Sequence, residues 1–252
     1  MTHTPDTTAP ILLEASHISV RFGGVTAADD INLQVRQSEV LGVIGSNGSG
    51  KSTFLNLCTG YIRAAAGEIR FQGRPITHLS PREITRLGIA RAFQHPQLFL
   101  DKTVLQSIVL GVACRNRFWS LGTVFQPGYR AKADAIVRTF GLGDYADTLN
   151  SALPEGVKKL SDIAIAMALE PSLLLLDEPT SSVSSANKFI IMDTLMPILR
   201  NSGVTTIIVE HDMEIVERYM DRVVAWDSGQ IIAEGSFSDI MRNEDVRQRV
   251  TG

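Results

Sequence analysis

Cysteine, basic charge and long apolar runs are all scarce in this chain of 252 residues. Its two cysteines, Cys58 and Cys114, lie in unrelated sequence contexts, which excludes a disulfide framework and a cysteine-based metal site and favours a reducing compartment. Lysine and arginine number 24 against 27 acidic residues, and the formal net charge is −3. Since no run of basic residues is present either, nucleic acid is not an expected partner.

The chain also lacks segments that target or anchor proteins. Its first ten residues are polar and contain Pro5 and Pro10, without the basic start and apolar stretch of a signal peptide, and they predict a disordered tail over residues 1–10. The longest apolar runs, such as Leu173–Leu176 and Val204–Val209, have the length of strands and fall far short of the ~20 residues that span a bilayer. Any membrane-spanning part of a complex is therefore expected to belong to another subunit.

The most informative motif that is present is G-x-x-x-x-G-K-S, from Gly45 to Ser52, directly after the apolar run Val40–Ile44. Glycines let such a loop curl so that successive backbone N–H groups point at phosphate oxygens, and the following helix adds its positive N-terminal end. Lys51 is expected to reach the β- and γ-phosphates, and Ser52 to hold Mg²⁺. The predicted nucleotide-binding residues of this segment are Ser46, Asn47, Gly48, Ser49, Gly50, Lys51, Ser52 and Thr53.

Strand and helix patterns predict an α/β fold of ordinary globular composition, 44% apolar and 20% charged. Gly-punctuated β-type runs before and after the phosphate loop predict an antiparallel β layer beside the nucleotide core. These runs are Ile18–Phe22, Ile31–Val35 and Gly67–Gly73. Later segments alternate between strand and helix, which predicts a mostly parallel sheet with crossover helices. They are Leu173–Asp177, the helical stretch Ala186–Arg200, Val204–Val209 and Arg222–Trp226.

A segment from about residue 96 to 161 carries helical periodicity at Val104–Val112 and Ala131–Phe140, with a loop-like region from Gly122 to Gly128. It predicts a helical subdomain inserted into one nucleotide-binding domain over residues 11–252. The overall prediction is a phosphate-loop NTPase core with an antiparallel layer and this helical insertion.

Two adjacent carboxylates, Asp177 and Glu178, follow the apolar run Leu173–Leu176. Neighbouring side chains at a strand end point in opposite directions, so the two acids are expected to have different roles. Asp177 is the better candidate for Mg²⁺, because a hard cation prefers carboxylate oxygen. Glu178 is then the candidate that orients or deprotonates the attacking water.

Three further residues are candidates through their position. His211 follows the strand run Val204–Val209, at an edge where open α/β sheets bind ligands, and could bond the γ-phosphate. Gln94 follows Gly88–Phe93 and is a candidate contact for Mg²⁺ and water. Phe22, at a strand end, is either a core residue or a platform that stacks on adenine. Guanine recognition by N-K-x-D is not supported, because the sole Asn-Lys pair, at Asn187, lacks the aspartate; the predicted nucleotide is ATP.

With Phe22, the phosphate loop, Gln94, the Asp177–Glu178 pair and His211 in this order and at these separations, the chain resembles the ATP-binding subunit of an ABC transporter. The resemblance covers roughly residues 12–235. The stretches at residues 21–27 and 90–94 are most similar to those of branched-chain amino acid and urea importer ATPases.

The resemblance implies an assembly. Two ATPase subunits would form a head-to-tail dimer in which each ATP lies between one subunit's phosphate loop and the other's signature segment. Hydrolysis would be coupled to membrane-spanning permease subunits that contact the groove near Gln94, with a solute-binding protein as an indirect partner. The chain would then lie in the cytoplasm, on the inner face of the cell membrane.

Two segments depart from the family pattern. The signature of the family is usually L-S-G-G-Q, and the matching segment here is Leu153–Val157, which opens a predicted helix Lys158–Leu169. Pro154 has neither the hydroxyl nor the N–H of the family's serine, and Glu155 adds negative charge. Ser181–Ser184 replaces S-A-L-D and removes a carboxylate. These departures favour a heterodimer in which Glu178 works against an ordinary signature of another subunit. The alternatives are a homodimer in which Gly156 and the helix N-terminus suffice, and a regulatory partner that hydrolyses slowly or not at all.

Overall fold

Two β-sheets with different strand arrangements organise the computed structural model, which describes residues 8–115 and 127–251. The strands are β1 (Ile11–Phe22), β2 (Val25–Arg36), β3 (Val40–Gly45), β4 (Ala66–Phe71), β5 (Arg74–Pro75), β6 (Ile89–Ala92), β7 (Leu173–Asp177), β8 (Thr205–Val209), β9 (Arg222–Asp227) and β10 (Gln230–Gly235). The helices are α1 (Lys51–Cys58), α2 (Pro81–Leu87), α3 (Val104–Arg115), α4 (Pro127–Thr139), α5 (Glu155–Ala168), α6 (Ser185–Ser202), α7 (Met213–Tyr219), α8 (Phe237–Arg242) and α9 (Glu244–Thr251). Short 3-10 turns lie at Gly143–Tyr145 and Asn150–Ala152.

The larger sheet has the order β10-β9-β3-β8-β7-β6, and every neighbouring pair is parallel except β10 with β9. Strands β3, β7 and β8 are buried along their whole length, as expected for parallel strands covered on both faces. Because their carboxyl ends meet at one edge, the phosphate loop, the Asp177–Glu178 pair and His211 follow three adjacent strands. The mostly parallel sheet expected from the sequence is confirmed.

The smaller sheet has the order β2-β1-β4-β5 and is antiparallel, which confirms the predicted β layer. β1 and β2 extend further than the runs that predicted them, and they meet in a hairpin where Phe22 pairs with Val25. One hydrophobic cluster joins this sheet to α1 and to the larger sheet, and it includes Ile18, Phe54 and Trp226. The rings of Phe54 and Trp226 lie 5.2 Å apart, between the phosphate-loop helix and β9.

A second hydrophobic cluster covers the other face of the larger sheet. Alternate residues of β7 divide between the two clusters: Leu173 and Leu175 contact the first, whereas Leu174 and Leu176 contact the second. Helices α3, α4, α5 and α6 all contribute to this second cluster, and they confirm the helical periodicity seen in the sequence. α6 continues through Pro197 without ending there.

Some predicted boundaries change. The helix expected from Lys158 begins at Glu155, because Pro154 takes the N-cap position and its fixed φ suits a helix start. The predicted loop Gly122–Gly128 lies outside the described residues up to 126, and Gly128 belongs to α4. Residues 1–7 of the predicted tail also lie outside the described residues, whereas the carbonyls of Ala9 and Pro10 accept hydrogen bonds from Arg36 and Gln37. Within residues 8–115 and 127–251, every helix is too short or too polar to cross a bilayer.

Candidate nucleotide-binding and hydrolysis site

The phosphate loop leaves β3 at Gly45 and enters α1 at Lys51. Two of its glycines lie where any larger residue would clash with neighbouring backbone atoms. A Cβ on Gly45 would lie 2.0 Å from the carbonyl oxygen of Trp226, and one on Gly50, whose φ is 108°, would lie 2.2 Å from that of Ala27. The loop therefore packs against the ends of two other strands, which fixes its curvature. Asn47, Gly48 and Ser52 remain exposed at its surface, and Ser46 and Thr53 are half-buried.

Lys51 is buried, and its ammonium lies over the loop itself. Nζ donates to the carbonyl oxygens of Gly45 at 2.8 Å and Ser46 at 2.7 Å. Burial lowers the pKa of Lys51, and the nearby carboxylates of Glu178 and Asp177 oppose that change. The cation is thus held at the mouth of the loop by neutral acceptors that phosphate oxygens can replace.

Asp177 connects the end of β7 to the start of α1. Its Oδ1 lies 3.3 Å from the hydroxyl of Ser52, and its Oδ2 accepts a hydrogen bond from Nη2 of Arg91 at 2.6 Å. Both side chains of this ion pair are about 5% exposed. Arg91 also donates to the amide oxygen of Asn56 at 2.6 Å. The sequence assigned no role to Arg91; the available signal was a lone cation inside the apolar stretch 89–92.

The three remaining catalytic candidates meet at one carboxylate. Oε2 of Glu178 accepts a hydrogen bond from the amide of Gln94 at 2.6 Å, and Oε1 lies 2.6 Å from Nε2 of His211. Glu178 itself has a positive φ of 49°. Asp177 and Glu178 therefore have different partners, as their opposite directions at the strand end predict.

Buried charged residues that the sequence did not single out support this arrangement. Glu210 accepts hydrogen bonds from the backbone and hydroxyl of Thr180 at 3.2 and 2.8 Å, and from the backbone of His211 at 3.2 Å. Burial raises the pKa of Glu210. Its carboxylate thus fastens the turn after Glu178 to the end of β8.

Helix α5 contributes two more buried charged residues, Asp162 and Lys159. Oδ2 of Asp162 accepts a hydrogen bond from the backbone of Phe93 at 3.0 Å, and burial raises the pKa of Asp162 to about 6. Lys159 donates to the backbone oxygens of Gln94 and Glu178, and burial lowers its pKa. Asp162 therefore holds the segment that carries Gln94, and Lys159 holds the segments of both Gln94 and Glu178.

Phe22 lies at the end of β1 with 50% of its surface exposed. The core alternative for Phe22 is therefore wrong, and its ring is available for stacking.

The variant signature segment faces solvent. Pro154 and Glu155 are exposed, and the carboxylate of Glu155 lies 3.5 Å from Nζ of Lys158 on the next turn. This short-range pairing reduces the cost of a negative charge at this position. Ser181–Ser184 leads directly into α6, with Ser184 at its N-cap.

The donor set suits a magnesium nucleotide. The hydroxyl of Ser52 and the carboxylate of Asp177 are hard oxygen ligands in contact with each other. In the part of the chain that the structure describes, no cluster of three or more His, Cys, Asp or Glu could form an all-protein metal cage. Mg²⁺ commonly keeps water and phosphate oxygens and takes only one or two carboxylates, so these residues fit it.

The family model for ABC transporters matches residues 28–181, a range that contains the phosphate loop, Gln94, Asp177 and Glu178. The chain belongs to the ABC transporter family of ATP-binding proteins. This confirms the resemblance seen in the sequence, and the chain is an ABC ATPase with a phosphate-loop NTPase fold.

Relatives of this ABC ATPase match over nearly its whole length. The probable branched-chain amino acid transport ATP-binding protein LivG of Archaeoglobus fulgidus is 34% identical, with 93% of each chain covered. LivG of Salmonella typhimurium is 32% identical over 96% of this chain and 98% of its own. The methionine import ATP-binding protein MetN of Rhizobium etli is 35% identical, covering 98% of this chain and 68% of its own.

Solved structures agree with the fold. An ATP-binding cassette of an ABC transporter in its ADP conformation superposes with a TM-score of 0.85 at 29% identity, covering 97% of this chain and all of its own. CbiO1 from Clostridium perfringens, part of an ABC transporter complex, has a TM-score of 0.80 at 29% identity, with 95% of this chain and 94% of its own covered.

Proposed function

We propose that this ABC ATPase energises uptake of an amino acid, an amide or a related small organic solute through separate membrane subunits. The observation that carries the hydrolysis part is the meeting of Gln94 and His211 on Glu178, beside the Asp177–Ser52 contact at the phosphate loop. The importer part is supported by relatives named for branched-chain amino acid transport and methionine import. The ATPase domain is proposed to span residues 11–252, with a helical subdomain at about 96–161.

ATP binding is assigned to the phosphate loop and the β1–β2 hairpin. Backbone N–H groups from Ser46 to Thr53 and the N-terminus of α1 would receive the phosphates. Lys51 would exchange its bonds to the Gly45 and Ser46 carbonyls for phosphate oxygens. The exposed ring of Phe22 would stack on adenine.

Ser52, Asp177 and Gln94 would hold Mg²⁺. The ion would neutralise phosphate charge and orient the γ-phosphate when bound. Arg91 keeps one oxygen of Asp177 paired and leaves the other beside Ser52, which gives that carboxylate a fixed direction.

Glu178 is assigned as the residue that orients or deprotonates the attacking water. Its two oxygens are each within 2.6 Å of a polar hydrogen-bond partner, so the carboxylate has a defined orientation before substrate arrives. His211 would contact the γ-phosphate, and Gln94 would contact water and the ion.

Glu178→Gln tests this assignment. In a complex, in membranes or detergent, that contains its permease subunits and the second ATPase subunit, we expect kcat to fall by about 100-fold or more while ATP binding persists, because the amide keeps the shape but not the basicity. Glu217→Gln, an exposed acid on α7, is the matched control and should keep the wild-type rate. An unchanged rate in Glu178→Gln contradicts its role, and a wild-type complex that binds ATP without hydrolysing it identifies a regulatory partner instead.

The partners are proposed from the surface as well as from the family. Phe99, Leu100 and Leu149 are large apolar residues that are 53%, 61% and 47% exposed, and the first two lie shortly after Gln94 in the chain. Such exposure suits contact with a permease subunit. The complex would place the chain on the cytoplasmic face of the membrane, with a solute-binding protein as an indirect partner.

A second ATPase subunit is the other proposed partner. Pro154 offers no hydroxyl or N–H to a nucleotide, and Glu155 presents a carboxylate at the same exposed surface. We therefore favour a heterodimer in which another subunit supplies the signature segment to the site at Glu178.

A further inference from the structure

Lys159 is a buried cation whose direct partners, among the described residues, are three neutral oxygens. It lies in the second turn of α5 and is 3% exposed. Its ammonium donates to the backbone oxygen of Gln94, to that of Glu178 at 3.2 Å and to the hydroxyl of Ser181 at 3.1 Å. An ammonium has three donors, so its hydrogen-bonding capacity is used completely.

Fold stability alone gives little reason for a cation here. A buried ammonium loses its hydration, and the nearby carboxylates of Glu155, Glu178, Asp162 and Glu210 offset this cost only in part, because burial still lowers the pKa of Lys159. An apolar side chain of similar length would avoid the cost. What Lys159 adds is a link between chain segments 65 and 19 residues away, at Gln94 and Glu178.

Those two segments are the ones whose side chains meet. Gln94 and Glu178 join through a 2.6 Å hydrogen bond, and Lys159 holds the backbone of each partner. The carbonyl of Glu178 also accepts the hydroxyl of Ser181 at 2.9 Å and its backbone N–H at 3.1 Å. These donors hold a non-glycine residue at φ 49°, a conformation that costs roughly 1–2 kcal/mol.

We propose that Lys159 is a positioning residue for hydrolysis, fixing the backbones of Gln94 and Glu178 so that their side chains are aligned. The proposal rests on the proposed function, which assigns those two residues to ATP hydrolysis. Lys159 also makes the alignment depend on α5, because a shift of that helix moves the ammonium away from both carbonyls.

Lys159→Met tests the proposal, because methionine has similar length and no donor. In the complex with its permease subunits and the second ATPase subunit, we expect kcat to fall by at least about tenfold while KM for ATP stays within about threefold, since misalignment affects the reaction more than nucleotide binding. Lys132→Met is the matched control: it removes an exposed lysine of α4 that pairs with Glu170, and it should keep both constants. A kcat within twofold of wild type in Lys159→Met overturns the proposal, and so does a loss confined to KM.

Hydrogen exchange of the nucleotide-free protein gives a readout that does not need activity. Lys159→Met should exchange its backbone amides faster in residues 93–97 and 178–182, while β1 and β2 keep wild-type protection. Equal exchange in both segments overturns the proposal. If the wild-type complex shows no hydrolysis above Glu178→Gln, the proposed function fails and hydrogen exchange alone decides whether Lys159 orders these segments.

Ser181→Ala replaces Lys159→Met if that variant does not fold. It removes one of the three acceptors of Lys159 and one donor to the Glu178 carbonyl. We expect kcat to fall by about threefold at unchanged KM, in line with the loss of one or two ordinary hydrogen bonds. An unchanged kcat in a folded Ser181→Ala complex contradicts the proposal.

Discussion

The carboxylate of Asp177 forms a buried ion pair with Arg91 at 2.6 Å. Removing one member of such a pair leaves a charge without compensation in a medium of low polarity. We expect Arg91→Met to lower the free energy of unfolding by about 3 kcal/mol, measured by urea denaturation without nucleotide.

Arg70→Met is the matched control for Arg91→Met. Arg70 pairs with Glu68 at the same distance of 2.6 Å, but the two side chains are 45% and 43% exposed. Water solvates the exposed carboxylate of Glu68 when its partner is removed, so Arg70→Met should lower the free energy of unfolding by at most about 1 kcal/mol. Similar losses in the two variants would show that burial does not make the Arg91–Asp177 pair important.

Asp162 makes stability depend on pH. Burial raises its pKa from 3.8 to about 6, although Lys159 acts in the opposite direction. Between these values the folded protein binds a proton that the unfolded chain releases, so this contribution to stability is largest at low pH and is lost as pH rises to about 6. Asp162→Asn cannot titrate, and its oxygen can still accept the Phe93 N–H.

Urea denaturation of both proteins at pH 5 and pH 7.5 measures this contribution. The difference in unfolding free energy between wild type and Asp162→Asn should change by about 1 kcal/mol between the two pH values, with wild type favoured at pH 5. Parallel pH profiles for the two proteins would contradict the raised pKa of Asp162.

Site residues that the sequence predicted differ from those it missed in how far along the chain their hydrogen-bond partners lie. Lys51, Asp177 and Glu178 follow strands in short motifs, so local spacing predicted that they lie near one another. Arg91 contacts Asp177 across 86 residues and Asp162 contacts Phe93 across 69, and no local pattern indicates such pairings. Their burial is a property of the packed sheet and α5, which a single sequence does not specify.

At the level of elements, the phosphate loop is held in place by backbone packing. Gly50 has its Cβ position blocked by the carbonyl of Ala27, whereas Gly48 has a φ of 79° and open space around it. Gly50→Ala therefore combines backbone strain with a steric clash, and Gly48→Ala adds strain alone. We expect unfolding free energies lower by about 3 kcal/mol for Gly50→Ala and about 1 kcal/mol for Gly48→Ala in urea denaturation. Equal losses would mean that the contact with β2 does not shape the loop.

The strands that the sequence predicted best are uniformly apolar. Strands β3, β7 and β8 are buried throughout, and their apolar runs ended close to the observed bounds. β6 has four residues and includes Arg91, so its run was too short and too polar to indicate a strand. α5 begins three residues before its predicted start because Pro154, which has no capping side chain, still provides a suitable N-cap geometry.

At the level of the whole molecule, the proposed site has a complete half and a variant half. In the complete half, Lys51 and Asp177 are buried, Glu178 is half-buried, and Asp177 contacts the hydroxyl of Ser52. In the variant half, Pro154 and Glu155 are exposed at the start of α5. A homodimer would place Glu155 against the phosphates of each ATP, where two negative charges repel. In a heterodimer, the ATP beside Glu178 would face the signature segment of the other subunit, so this repulsion would be absent there.

A concentration series of the purified chain with Mg²⁺ and ATP tests the heterodimer. We expect ATP binding, but a specific hydrolysis rate that stays at the Glu178→Gln background as protein concentration rises, because copies of this chain lack a working signature for each other. Pro154→Ser combined with Glu155→Gly should then raise the rate with concentration, since serine supplies the hydroxyl and backbone N–H that proline lacks and glycine removes an exposed carboxylate. A specific rate that rises with concentration in the wild-type chain would instead establish that homodimers are active and that Gly156 and the N-terminus of α5 suffice.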